Sequence, residues 1–133
     1  MKNINLSVRS LINLKQKLPQ VGSFSIPYEF ASHKILIESS FHNVWLDYVI
    51  TEDGSLKIGK GHYKLANKAP RLQMAGEIMV DKTGAVIKIN NNSGHYQPSI
   101  NSFLIFIKRL LNSNILINVK TSIELTNWET TIL

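Results

Sequence analysis

The sequence predicts a single α+β domain over residues 1–133, with an antiparallel sheet of about five to seven strands, an N-terminal helix and a second, amphipathic helix near 100–112. Three observations predict it. Short runs of strand-forming residues, separated by turn residues, recur between residues 33 and 90. A wide apolar stripe at helical spacing follows over 100–111. The chain has 133 residues and no linker-like change of composition, which is the size of one core.

Taken in order, Val8, Leu11, Ile12 and Leu18 keep helical spacing, with Lys15 as the exposed interruption. Asn5 offers an N-cap and Pro19 a stop, so a helix is expected over 6–18. Gly22 and Pro27, with small residues between them, read as a connection. His33–Glu38 is a short β-branched run. His42–Thr51 should be a strand, with Val44, Leu46 and Tyr48 on one face and Trp45, Asp47 and Val49 on the other. Glu52-Asp53-Gly54 turns it into Ser55–Lys60, giving a hairpin. Arg71–Val80 and Ala85–Asn90 form a second hairpin around Asp81-Lys82-Thr83-Gly84, and Asn90–Gly94 is then a loop. Ser99 can cap a helix whose stripe is Ile100, Phe103, Leu104, Phe106, Ile107, Leu110 and Leu111. Asn112–Asn114 ends it, after which Ile115–Val119 and Thr121–Leu125 are expected as strands.

Composition excludes several classes of protein. Hydrophobic residues are 44% of the chain, too many for an extended disordered polymer. No apolar run approaches the ~20 residues of a membrane span. The absence of cysteine removes thiolate catalysis, cysteine-based zinc sites and disulfides. His33 and His42 do not have helical ligand spacing and no HExxH occurs, so no metal or other cofactor is expected. There is no glycine-rich phosphate loop and no GxSxG elbow. Asparagine is abundant, at thirteen residues, but dispersed through periodic segments rather than forming a prion-like tract.

The net charge of +6 favours anionic partners: a small molecule, nucleic acid or an acidic protein surface. Its distribution says more. Between Ser55 and Ala75 there is no acid, yet Lys57, Lys60, Lys64, Lys68 and Arg71 fall there, with His62 and Tyr63 among them. Such a window is either a solvated face or an anion-binding one. Met1–Gln20 also lacks acids, and it has none of the ~7–15-residue apolar stretch of a secretory signal. A cytoplasmic protein, or an effector delivered without a Sec signal peptide, is expected.

Gly61-His62-Tyr63 recurs as Gly94-His95-Tyr96. Chance predicts roughly 0.006 copies of that tripeptide in a chain of this composition. Each copy follows a strand and precedes a break. Glycine permits a sharp turn and close approach, histidine exchanges protons near neutrality, and tyrosine adds a hydroxyl and a stacking surface. With Lys60, Lys64 and Ser93 nearby, His62 and His95 could face one ligand. The same groups would suffice for metal-independent phosphodiester cleavage, with His95, His62 and Tyr96 as catalytic candidates. Equally, both tripeptides could be turn-and-core devices.

Met74-Ala75-Gly76-Glu77, Gly84-Ala85-Val86 and Ser93-Gly94-His95-Tyr96-Gln97-Pro98-Ser99, followed by an amphipathic helix, form a recognisable set. The segment resembles the conserved C-terminal portion of plant IQ-motif calmodulin-binding proteins. Similar Ser-Gly-His-Tyr-x-Pro segments occur in bacterial secreted and polymorphic-toxin-like proteins. The resemblance covers roughly residues 55–120, with Gly61-His62, Leu65 and Ala66 fitting it more loosely. It implies a strand–loop–helix unit whose signature is Ser93, Gly94, His95, Tyr96 and Pro98. No IQ motif is present, so calmodulin is not implied as a partner. Lys64–Ala69 replaces the family's small-residue cluster, which leaves the part of His62 less defined than that of His95.

The expected function is a small binding module, a bacterial effector or toxin-associated domain, that takes an anionic ligand or partner beside the two Gly-His-Tyr loops. Its ligand-binding candidates are Ser93, Gly94, His95, Tyr96, His62, Tyr63, Lys60 and Lys64. A ribonuclease-type toxin using His62 and His95 is one alternative. A structural or interaction protein, such as an immunity or chaperone partner, is the other.

Overall fold

The computed structural model describes residues 10–31 and 33–129. Its elements run β1 (Ile12–Asn13), β2 (Phe24–Ser25), β3 (Glu29–Ala31), β4 (Lys34–Leu36), a 3-10 turn (Ser39–Phe41), β5 (Trp45–Ile50) and β6 (Leu56–Lys60). After these come α1 (His62–Leu65), β7 (Arg71–Leu72), β8 (Met74–Val80), β9 (Val86–Asn90), α2 (Ile100–Ser113) and β10 (Ser122–Glu124). Six strands make the main sheet in the order β10-β9-β8-β5-β6-β2, and the pairs β1–β7 and β3–β4 flank it. The α+β architecture and the strand count match the sequence reading.

Both predicted hairpins form. In the first, the Thr51 N–H bonds Ser55 O at 2.9 Å and Asp47, Tyr48, Val49 and Ile50 pair with Gly59, Ile58, Lys57 and Leu56. The second closes through the Asp81 N–H to Ala85 O, and the Asp81 carboxylate accepts from the Thr83 N–H at 2.8 Å. That bonding, led by the Thr83 hydroxyl, lowers the Asp81 pKa. Leu46, Tyr48 and Ile50 on one face of β5 are buried with Leu56, Ile58, Met74 and Ile78. They share a single hydrophobic cluster with Phe103, Phe106, Ile107 and Leu110 of α2. Ser99 caps α2 as expected, its Oγ accepting the Ser102 N–H at 3.0 Å.

Four expectations are corrected. The N-terminal helix does not form over 10–18, and residues 6–9 lie outside the described residues. Distant carbonyls take its backbone donors: the Leu14 N–H bonds Pro70 O and the Lys15 N–H bonds His95 O, while Ile12 pairs with Leu72. Tertiary pairing has overridden a helical period. The supposed connection 22–27 contains β2, paired with β6. Ile115–Val119 is not a strand. Asn114 is left-handed and the Ile115 N–H folds back to Leu110 O, so Leu116 and Ile117 plug the core from a tight loop. Finally, the sheet is mixed: β10 runs parallel to β9, because α2 is the crossover between them.

Among the described residues, no helix is long and apolar enough to cross a membrane.

Candidate functional site

β2 lies against β6 at Gly59, where a Cβ would stand 2.0 Å from Phe24 O. Only glycine allows that approach. It seats Phe24 opposite Lys60 and Ser25 opposite Gly59. Beyond this contact the chain opens into a depression of about 430 Å³, lined by Ser23, Phe24, Ser25, Lys57, Lys60, Lys64, Leu65 and Asn67. Three lysines therefore line one concave surface that, among the described residues, has no carboxylate in its lining. Lys57 and Lys60 would point to opposite faces of a regular strand, yet both line it.

The first Gly-His-Tyr lies between Lys60 and Lys64 in the chain but does not line the depression. Gly61, at φ +92°, opens α1 in a conformation that L side chains rarely adopt. Asp47 of β5 accepts the Gly61 N–H at 2.7 Å and stands 3.8 Å from His62 Nδ1. His62 is 6% exposed, and its Nε2 lies 2.7 Å from Gly76 O. A carbonyl oxygen only accepts, so Nε2 carries the proton and donates it. His62 thus ties α1 down onto β5 and β8. Tyr63 points elsewhere.

The second Gly-His-Tyr buries its tyrosine as well as its histidine, His95 being as buried as His62. Tyr96 is fully buried and donates its hydroxyl to Ala69 O at 2.7 Å. Burial, with the Tyr63 phenol adding a smaller repulsion, raises its pKa to about 12. Ser93, also buried, accepts the Tyr96 N–H at 3.3 Å, and Gly94 O accepts from the Gln16 and Gln97 side chains. His95 is held by its Nε2–H on Leu18 O at 3.2 Å, and its ring stacks on Tyr63 with centroids 5.7 Å apart and planes 11° from parallel. The two tripeptides meet through this Tyr63–His95 stack.

The structure thus brings together Lys60 and Lys64 at one surface and Tyr63 with His95 at another contact. Neither His62 nor His95 lines the lysine depression. Tyr96 borders a separate 240 Å³ hollow with Lys15, Gln97 and Trp128. Among the described residues, no group of three or more His, Asp and Glu side chains could hold a metal ion. Sequence reasoning missed Asp47, Ser23, Phe24, Ser25 and Asn67, and had Lys57 only as a member of the acid-free basic window. Asp47 was within reach, since the hairpin turn at 52–54 sets it opposite Gly59, two residues before Gly61. The seryl residues and Phe24 carry no local signal, because only the β2–β6 pairing brings them to the lysines.

Compared with protein-family models, curated proteins and solved structures, the chain matches none.

Proposed function

We propose that this protein is an anion-binding module whose ligand occupies the depression lined by Lys57, Lys60 and Lys64. The observation that carries the reading is the convergence of three lysines, two seryl residues and Asn67 on one 430 Å³ concavity with no carboxylate among its described lining residues. That volume is in the range of small-ligand sites, ~300–1,000 Å³. Lysines beside a low-dielectric wall attract anions more strongly than lysines spread over a convex surface. In an effector or toxin-associated setting, the one implied by the resemblance at Ser93–Pro98, this depression would be the recognition surface. Binding is favoured over histidine-based cleavage because His62 donates its Nε2 proton to Gly76 O instead of facing the cavity.

Calorimetric titration with inorganic tripolyphosphate tests the reading. Binding should weaken with salt, and Lys60→Ala and Lys64→Ala should each cost ~5-fold, equal to ~1 kcal/mol. Lys120→Ala, at an exposed position outside the depression, should have no effect. Unchanged affinity in the combined Lys57→Ala, Lys60→Ala, Lys64→Ala variant would overturn it.

A further inference from the structure

We propose that the ligand of the lysine depression is a nucleoside polyphosphate, with its phosphates on Lys57, Lys60 and Lys64 and its base on the ring of Phe24; this rests on the anion-site reading above. An inorganic anion would leave the apolar lining residues, Phe24 and Leu65, unused. Phe24 lines the same depression and is 46% exposed, so its ring is accessible to a ligand there. Its backbone is fixed by the pairing with Lys60, and the Phe41 ring supports it at 6.1 Å. A planar ring held beside cations suits a ligand that combines a flat, apolar part with several negative charges. Leu65 extends the apolar wall, while Ser23, Ser25 and Asn67 offer hydroxyl and amide partners for a sugar.

The charge pattern also sets the ligand's length. The neighbouring hollow, of about 440 Å³, shares Lys57 and Asn67 with the depression but carries Glu52 and Asp53. Arg71 there is paired with Glu52 at 3.3 Å. On this side the lysines give way to acids, and a longer polynucleotide continuing across the neighbouring hollow would meet the carboxylates of Glu52 and Asp53. A single nucleotide with a polyphosphate chain uses the cations and avoids the acids.

The full chain is titrated calorimetrically, in magnesium-free buffer, with ATP, tripolyphosphate and a ten-residue oligothymidylate. ATP should bind about tenfold tighter than tripolyphosphate, the difference being base stacking. Phe24→Leu, which keeps an apolar contact for Phe41, should erase that difference and leave tripolyphosphate affinity unchanged. Circular dichroism and melting confirm that the variant is folded. Equal affinity for ATP and tripolyphosphate overturns the nucleotide inference while the anion-site reading survives. Binding of neither overturns both. Tighter binding of the oligonucleotide than of ATP overturns the single-nucleotide ligand in favour of a strand.

Discussion

The same tripeptide, Gly-His-Tyr, is used differently at its two positions: both histidines are buried on a backbone carbonyl, but only the second tyrosine is fully buried. At 61–63 the histidine is the anchor, buried on Gly76 O and beside Asp47, while the tyrosine is left half-exposed. At 94–96 the tyrosine is the anchor, fully buried on Ala69 O, and the histidine closes over Tyr63 and Leu18 O. The difference begins in the backbone. Gly61 opens a helical turn across β5, which carries the next side chain down onto the sheet. Gly94 sits in a turn closed by the Gln97 N–H to Ser93 O, where both following side chains are buried. A repeated motif in a chain is thus no guarantee of repeated chemistry; the frame that receives it decides whether its tyrosine joins the core.

The difference makes graded predictions. Tyr96→Ala should be the most damaging change, costing about 4 kcal/mol in urea unfolding, because it removes a buried ring. Tyr63→Ala should cost about 1 kcal/mol, the scale of a partly exposed stack. Equal costs would mean that the two tyrosines are equivalent after all. His62→Ala should cost about 2 kcal/mol by leaving Gly76 O without its donor. His95→Ala, losing a longer bond and the stack, should cost about half as much. A double-mutant cycle of Asp47→Ala with His62→Ala should show coupling of about 0.5 kcal/mol or more, whereas Asp47→Ala with His95→Ala should be additive.

The smallest effect appears only at high pH. A Tyr96 hydroxyl raised to about 12 keeps its proton in the folded state when the unfolded chain has lost it near pH 10. Its contribution to stability is therefore fully present below pH 10 and lost as pH rises towards 12. Tyr48 and Tyr28, raised in the same direction by burial, act likewise. Tyr96→Phe should be less stable than wild type at pH 8 and should lose less stability between pH 10 and 12. Parallel alkaline unfolding curves for the two proteins would show that Tyr96 titrates normally.

Much of the frame was legible in the residues because it rests on local rules. The alternation along Trp45–Ile50, the turns at Glu52–Gly54 and Asp81–Gly84, the cap at Ser99 and the stripe of α2 each follow from neighbours a few positions apart. The failures occurred where distant groups competed. Residues 10–18 have a helical period, yet Pro70 O and His95 O take their N–H groups. In Ile115–Val119, a strand-forming run is broken by the left-handed Asn114 before it and the loop that follows. Asn91 is another case: its side chain bonds Pro98 O and Thr126 O, pinning the C-terminal segment, and nothing near it in the chain announces this.

By itself, then, the sequence determined the α+β class, the two hairpins, the capped helix and an acid-free basic window, all properties of short stretches of chain. Only the tertiary structure decided that Lys57, Lys60 and Lys64 share a surface with Phe24, that His62 faces the sheet, and that Tyr63 meets His95. Those outcomes depend on which strands pair and how closely, as at Gly59 against Phe24 O. Strand pairing across long separations is set by the whole core, and no window of sequence contains it.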